Sequence, residues 1–474
     1  MKTFNPITIS CFKAYDVRGE LDVNLDSVIV YRIGRAFAQY LNHGQKNHGQ
    51  KNSVIVVGAD IRSSSNSLKQ SVIDGITDAG VDVIDLGMVG TEEVYFATSH
   101  YNAIGGIEVT ASHNPINYNG LKMVRENSRP ISADTGLADI RTIAERGEFV
   151  VADKGRVTLN TDKTAYIDKL MSFIDTSKFR PKKIVVNSGN GSAGPVVDEL
   201  ERRLGDDIEL IKVHHTPDGS FPNGIPNPMI VANQQATSDA VIAHKADFGV
   251  AFDGDFDRCF LFDENGRFIE GSYIVGMLAE VFLKQHQGKG IVYDPRVIYN
   301  TEYVIAQNGG QPIISKSGHS FIKQVMRETG AIYGGEMSAH HYFKDFFYCD
   351  SGMIVWLLVI ELLSVTGKTL SKLVNGYIHN FPSSGELNFR LGQKSAREIG
   401  EHLEQKYSSS NPIKNTLDGL SLDFGSWRFN LRSSNTEPLI RLNIETKGDK
   451  ALLQSKIDEI LAILAACGAM SADH

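Results

Sequence analysis

The chain has 474 residues, 42% of them hydrophobic and 22% charged, with 44 Gly, 14 Pro and 4 Cys, an ordinary globular composition that excludes a disordered chain, a collagen-like repeat and a disulfide scaffold. At roughly 100–200 residues per domain, the length implies two to four domains. The net charge of −8 excludes broad attraction to nucleic acid or to an anionic membrane, so an anionic ligand must meet positive charge that is local.

Cys11, Cys259, Cys349 and Cys467 are too widely spaced for a redox pair or a zinc knuckle, which fits a reducing cytoplasm. No apolar leader precedes Asp16 and Arg18, and the apolar run Met353–Ile360 stops at Glu361, far short of a roughly 20-residue membrane span. That run reads as a buried helix. The tandem NHGQK at 42–51 reads as a polar surface loop between a helix and a strand rather than a metal site.

In chain order, the first motif is YDVRG (15–19), which puts Arg18 in a loop before the first helix. Strands are then predicted over 53–58, 81–87 and 105–110, with helices over 68–79 and 91–100 between them. The same rhythm returns with strands over 182–187, 208–214 and 246–252, and again over 290–294, 311–315 and 331–336, with the intervening helices near 194–204, 239–244, 297–307 and 320–329. Alternation of this kind implies parallel βαβ units. After Pro382 the pattern turns to an α+β mixture, with strands at 426–432 and 439–445 and a final helix over 450–466. The fold class expected is α/β: three similar α/β domains with mixed, mostly parallel sheets and a fourth α+β domain around a central cleft. The domains are set at 1–157, 158–262, 263–376 and 377–474.

Each of the three α/β sets ends its last strand in a polar motif, where open α/β sheets gather ligands. TASHNP (110–115) offers Ser112 beside His113, but neighbours on a strand face opposite ways, so the pair alone reads as a turn. DGDFDR (253–258) sets Asp253, Asp255 and Asp257 on alternate positions, able to converge on a hard cation such as Mg²⁺. An EF-hand is excluded because Arg258 stands where the sharp turn needs Gly. GEMSAH (335–340) carries Glu336, Ser338 and His340 at alternate spacing, on one side and suited to sugar hydroxyls or simply to a satisfied polar turn. RSSNTEP (432–438) suits a phosphate cradle built from Arg432 and turn amides, although any Ser/Thr/Asn loop has the same composition.

In this order, YDVRG, TASHNP, DGDFDR, GEMSAH and RSSNTEP resemble the α-D-phosphohexomutase (phosphoglucomutase/phosphomannomutase) family over nearly the whole chain. The bacterial members that act on mannose phosphates and supply GDP-mannose synthesis look most similar. The resemblance implies a phosphorylated Ser112 and Mg²⁺ held by Asp253, Asp255 and Asp257 together with the Ser112 phosphoryl group. It implies Lys122 (in YNGLK) and His340 as acid and base, the lysine with a pKa lowered by burial or cationic neighbours. Arg18 and His113 would stand near the reacting phosphate, and Arg258 would stabilise the phosphoryl group in flight. The sugar phosphate would be held by Arg296 (in DPR), Lys316 and His319 (in SKSGHS), Glu336, Ser338, Arg432, Ser434, Asn435 and Thr436.

The reaction so implied is mannose 1-phosphate ⇌ mannose 6-phosphate through a hexose 1,6-bisphosphate, by a cytoplasmic monomer or weak homodimer with no nucleic-acid or membrane partner. Phosphoglucomutase or dual specificity is the alternative, ahead of a metal-dependent sugar phosphatase.

Overall fold

The computed structural model describes residues 2–44, 53–392, 394–433 and 439–472. Most of the NHGQK repeat, and Ser434, Asn435 and Thr436 of the expected phosphate cradle, lie outside these residues. Two compact units form, Met1–Phe268 with Tyr342–Thr369, and Ile269–His341 with Leu370–His474.

The first unit holds two α/β sheets. In one, Asp82–Met88, Val54–Ala59 and Gly105–Val109 are parallel neighbours and Val157–Leu159 adds a further parallel edge. The chain then reverses: Tyr118–Arg125 lies antiparallel to Gly105–Val109, and Val17–Glu20 antiparallel to it in turn. The sheet is thus mixed and mostly parallel, as expected. The short turn after TASHNP leaves no length for a crossover helix, so the next strand can only return antiparallel. Arg18, expected in a loop, is on this added edge strand, opposite Gly120.

The second sheet follows the same plan. Lys182–Asn187 lies between Ile208–Val213 and Phe248–Phe252 in parallel, and Cys259–Phe262 returns antiparallel. Strands buried on both faces read as continuous apolar runs such as KIVV and FGVAF, which is why they are legible. The apolar run at 353–360 lies in the helix Gly352–Thr366, whose Trp356 and neighbours are fully buried.

In the second unit, Gln311–Ile314, Gly290–Tyr293 and Tyr333–Gly335 form a parallel set. The C-terminal sheet is antiparallel throughout, in the order Ile413–Asn415, Leu420–Asp423, Trp427–Ser433, Leu439–Thr446, Leu387–Arg390, Met470–Ser471. Its inner face joins Phe429, Leu431, Ile440 and Leu442 to Ile399 and Leu403 of one helix and Ile460 and Leu464 of another. Among the described residues no single helix is long and apolar enough to cross a membrane.

Candidate active site

Two of the polar motifs meet in the first unit. Ser112 has φ +50°, in the left-handed region that a non-glycine residue rarely adopts. Its neighbours show what holds it there. The backbone N–H of Ser112 donates to Thr110 Oγ1 (2.8 Å), and Thr110 Oγ1 donates to Asp60 Oδ2 (2.7 Å). The guanidinium of Arg62, buried, donates to the carbonyls of Ser112 (2.8 Å), Asn114 (2.6 Å), Pro115 (2.9 Å) and Tyr118 (3.2 Å). Arg62 therefore fixes nearly the whole motif through its backbone. Neither Asp60 nor Arg62 stands out in the sequence, although both follow directly on the strand Val54–Ala59, the kind of strand end where ligands are expected.

This turn corrects the reading that Ser112 and His113 diverge. Because the segment is not extended, Ser112 Oγ and His113 Nδ1 approach to 2.9 Å, and Ser112 Oγ donates to Asp253 Oδ2 at 2.8 Å. Burial and the guanidiniums of Arg258 and Arg18 hold the His113 imidazole well below its ordinary pKa. Arg18 reaches the same turn, donating to Asn114 Oδ1 and to Asp16 Oδ2, both at 2.7 Å.

Asp253, Asp255 and Asp257 are buried and offer one carboxylate oxygen each within 4.8 Å of one another. The loop bends tightly, with Phe256 at φ +47°, and Gly254 lets it approach the serine turn: a Cβ there would lie 2.6 Å from the Ser112 carbonyl oxygen. The donor set is hard oxygen throughout, and Asp255 Oδ1 has no hydrogen-bond partner among the described residues. These features fit Mg²⁺.

Lys122 sits on the same carboxylates. Its ammonium donates to Asp255 Oδ2 (2.7 Å) and Asp257 Oδ2 (2.6 Å). Burial alone would lower its pKa, but Asp255, Asp257 and Asp253 raise it above the ordinary value, so the expected lowering is corrected. The physical reason is that its nearest neighbours are anions rather than cations. Burial together with Asp257 and Asp255 pushes the Asp253 carboxyl up to about 7. Arg258 Nε stands 3.4 Å from Asp253 Oδ2.

The triad is anchored from the N-terminus of the helix Thr91–His100, a segment whose role the sequence does not reveal. Thr91 Oγ1 donates to Asp255 Oδ2 (2.6 Å) and Thr91 N–H to the Asp255 carbonyl (3.2 Å). Glu92, fully buried, accepts from Tyr166 Oη, Ser351 Oγ (2.8 Å), Gly352 N–H (2.7 Å) and Met353 N–H (3.3 Å). Burial pushes its carboxyl up to about 8 even with those donors pulling it down. Glu93 pairs with Lys163.

The second unit collects most of the other predicted residues around Arg296. Its guanidinium is buried and bidentate to Asp294 (2.9 and 2.8 Å), and it also reaches Glu336 Oε2 (3.3 Å) and Ser338 Oγ (3.2 Å). Glu336 and Ser338 thus converge, but not through an extended segment. Ala339 has φ +67° and Glu336 N–H donates to the His340 carbonyl, so GEMSAH is a tight turn and the alternate-spacing argument is corrected. Glu336 Oε2 also accepts from Gly318 N–H (2.9 Å), tying SKSGHS to it. His319 begins the helix His319–Thr329, with its ring centroid 6.4 Å from that of His340. Lys316 is exposed, its ammonium 5.8 Å from the Phe321 ring centroid, and does not join this group.

Arg432 donates to Glu386 Oε2 (3.1 Å), which faces Arg296 Nη1 at 3.6 Å, while Arg441 takes Glu386 Oε1 at 3.0 Å. Three guanidiniums thus gather on one carboxylate, the local cationic groups an anionic ligand would meet, with Asp294 and Glu336 also facing Arg296. Glu386, Arg441 and the buried pair Arg428 and Glu445 (2.7 Å), whose arginine also holds the Pro295 and Arg296 carbonyls, are invisible in the sequence.

Four family models match the chain in succession, the phosphoglucomutase/phosphomannomutase alpha/beta/alpha domains I, II and III over residues 10–151, 164–266 and 270–381 and the C-terminal domain over 386–463. The chain belongs to the phosphoglucomutase/phosphomannomutase family. It is therefore a phosphohexomutase, an isomerase with the expected four-domain α/β architecture. A phosphomannomutase of Escherichia coli is 54% identical over 463 residues, spanning 96% of this chain and 99% of that protein. One of Vibrio cholerae is 54% identical over 461 residues, spanning 96% and 98%. A solved phosphoglucomutase/phosphomannomutase family protein of Burkholderia thailandensis superposes with a TM-score of 0.85 at 32% identity, covering 98% of this chain and 99% of that one.

A phosphohexomutase that relies on Arg62 to shape the serine turn should be sensitive to its loss. Arg62→Met is expected to lower kcat about 100-fold with little change in KM, because misplacing a reacting group by about 1 Å has an effect of that size. Steady-state kinetics and a thermal melt check it; unchanged kcat would show that the turn holds its shape without the guanidinium.

Proposed function

We infer that the protein interconverts mannose 1-phosphate and mannose 6-phosphate through a phosphorylated Ser112 and a hexose 1,6-bisphosphate, with Mg²⁺ at the aspartate triad. The observation that carries this reading is the Ser112 hydroxyl 2.8 Å from Asp253 Oδ2, in a chain that the family's four domain models match in succession between residues 10 and 463.

Phospho-Ser112 gives its phosphoryl group to the free sugar hydroxyl, and the bisphosphate, turned within the site, returns its other phosphate to the serine. When bound, Mg²⁺ supplies positive charge beside the phosphoryl oxygens. The chain's own groups do the rest. Arg62 and Thr110 hold the serine in place, and Arg258 and Arg18 bring two guanidiniums to the phosphoryl group. His113, neutral, stays a hydrogen-bonding group rather than a third cation. Lys122 and His340 carry the proton between the two sugar hydroxyls, Lys122 once it is released from the carboxylates. The cluster of Arg296, Arg432 and Arg441 receives the phosphate that is not reacting, and Glu336 and Ser338 read sugar hydroxyls. Ser434, Asn435 and Thr436 complete the phosphate cradle, and Lys316 and His319 close over the ligand. The four buried cysteines form no disulfide among the described residues, which fits a reducing cytoplasm.

Assay of both hexose 1-phosphates with purified protein tests the substrate. Expected is a kcat/KM for the mannose form at least about tenfold above that for the glucose form, the worth of one hydrogen bond in the transition state. The reverse preference would replace the mannose reading by a phosphoglucomutase.

A further inference from the structure

Glu108 lies in the middle of the strand Gly105–Val109, between Val54–Ala59 and Tyr118–Arg125. Its neighbours Ile107 and Val109 belong to the main apolar core, so Glu108 points to the opposite face of the sheet. There it is fully buried, and neither carboxyl oxygen has a hydrogen-bond partner among the described residues. Space is kept for it: its register partner on one side is Gly58, where a Cβ would lie 2.8 Å from Glu108 Oε2 and 2.2 Å from Val89 Cγ2. Its register partner on the other side is Lys122. Directly opposed residues of an antiparallel pair share a face, with Cβ atoms about 4.5–5.5 Å apart.

The charged groups around Glu108 are Asp60, Asp255, Glu93 and Lys122; burial and the three carboxylates hold its carboxyl well above the usual range, and Lys122 pulls it down. A valine would pack in this strand without an unsatisfied polar group, so the carboxyl is unfavourable in the arrangement observed. It becomes favourable when Lys122 needs a partner. The ammonium now rests on Asp255 and Asp257, the same carboxylates a divalent cation would take, and a cation there would both withdraw its acceptors and repel it.

We propose that Glu108 is the second seat of the Lys122 ammonium: when a divalent cation occupies the aspartate triad, Lys122 turns from Asp255 and Asp257 to the carboxyl directly across the strand pair. The ammonium and the carboxyl, register partners on one face of the strand pair, then meet under the site. Glu108 is then a positioning residue, holding the lysine in place once the cation displaces it, without competing for the cation.

This inference rests on the triad being the cation site, and the experiment separates the two. Mn²⁺ affinity is measured by electron paramagnetic resonance on the full chain for wild type, D255N, E108V, K122M and E108V/K122M. E108V is expected to weaken Mn²⁺ binding about tenfold, the usual effect of losing a group that supports a metal site from behind, and this loss should vanish in the K122M background. The cation-free melting temperature of E108V should not fall. Equal affinity of wild type and E108V, or a loss that persists with K122M, overturns the proposal. Wild-type binding unaffected by D255N would overturn the triad reading and this one with it. If E108V does not fold, E108Q takes its place in the same cycle: a loss that vanishes with K122M supports the proposal, and no loss, or one that persists, overturns it.

Discussion

Ser112→Ala is expected to lower mutase turnover at least about 10⁴-fold, because Ser112 Oγ is the hydroxyl set against Asp253 and His113 and a missing nucleophile is rarely compensated. Intact mass of the wild-type protein should show one phosphate, mapped to Ser112 and absent from the variant. The surroundings make the expectation sharp. Ser112 is held in a left-handed turn by Arg62 and Thr110, and its Oγ is already shared between Asp253 and His113. The fold of the variant should survive, since a small side chain is replaced by a smaller one and the backbone donors and acceptors remain. Turnover undiminished in Ser112→Ala would remove the phosphoserine from the mechanism, whatever the family does.

The second large effect is expected at the triad. Asp255→Asn should reduce turnover about 10²–10³-fold, the scale on which one preorganised charge at a reacting centre acts. Asp255 accepts from both Lys122 and Thr91, so the amide also presents N–H groups where a cation and two donors need oxygen. Part of the activity should return at high Mg²⁺ if weakened binding is the cause. Chelation of the wild-type protein should abolish turnover reversibly, with Mg²⁺ restoring it. Full activity in the presence of chelator would show that Lys122 alone neutralises the carboxylates during the reaction.

Much of this site is legible in short strings, because each chemically active group sits with its neighbours at the end of a strand. DGDFDR displays the triad since its three carboxylates are local, and the buried strands before it read as apolar runs. What escapes are the partners set by packing. Asp255 meets Thr91 and Lys122 at sequence separations of 164 and 133 residues, and no local spacing hints at either pairing. The expected direction of the Lys122 pKa shift is wrong for this reason: burial is foreseeable, the two carboxylates against it are not. Ser112 and His113 read as strand neighbours, although the decisive fact is a single positive φ. In the second unit, Glu386 and Arg441 are far apart in the chain and become meaningful only when the antiparallel sheet lays their segments side by side.

Glu92 has a further consequence, for the order in which the molecule can be made. Of its four donors, Tyr166 precedes residue 268, while Ser351, Gly352 and Met353 follow a long excursion of the chain through the second unit. A chain still emerging from the ribosome, or a fragment ended at residue 268, would bury that carboxyl with one donor instead of four. The helix that contains Glu92 also anchors Asp255, so the loop 253–258 gains that support in full only after the segment 351–353 has been synthesised and docked. The burial of Glu92 thus draws on a segment that exists only once nearly three-quarters of the chain has been made.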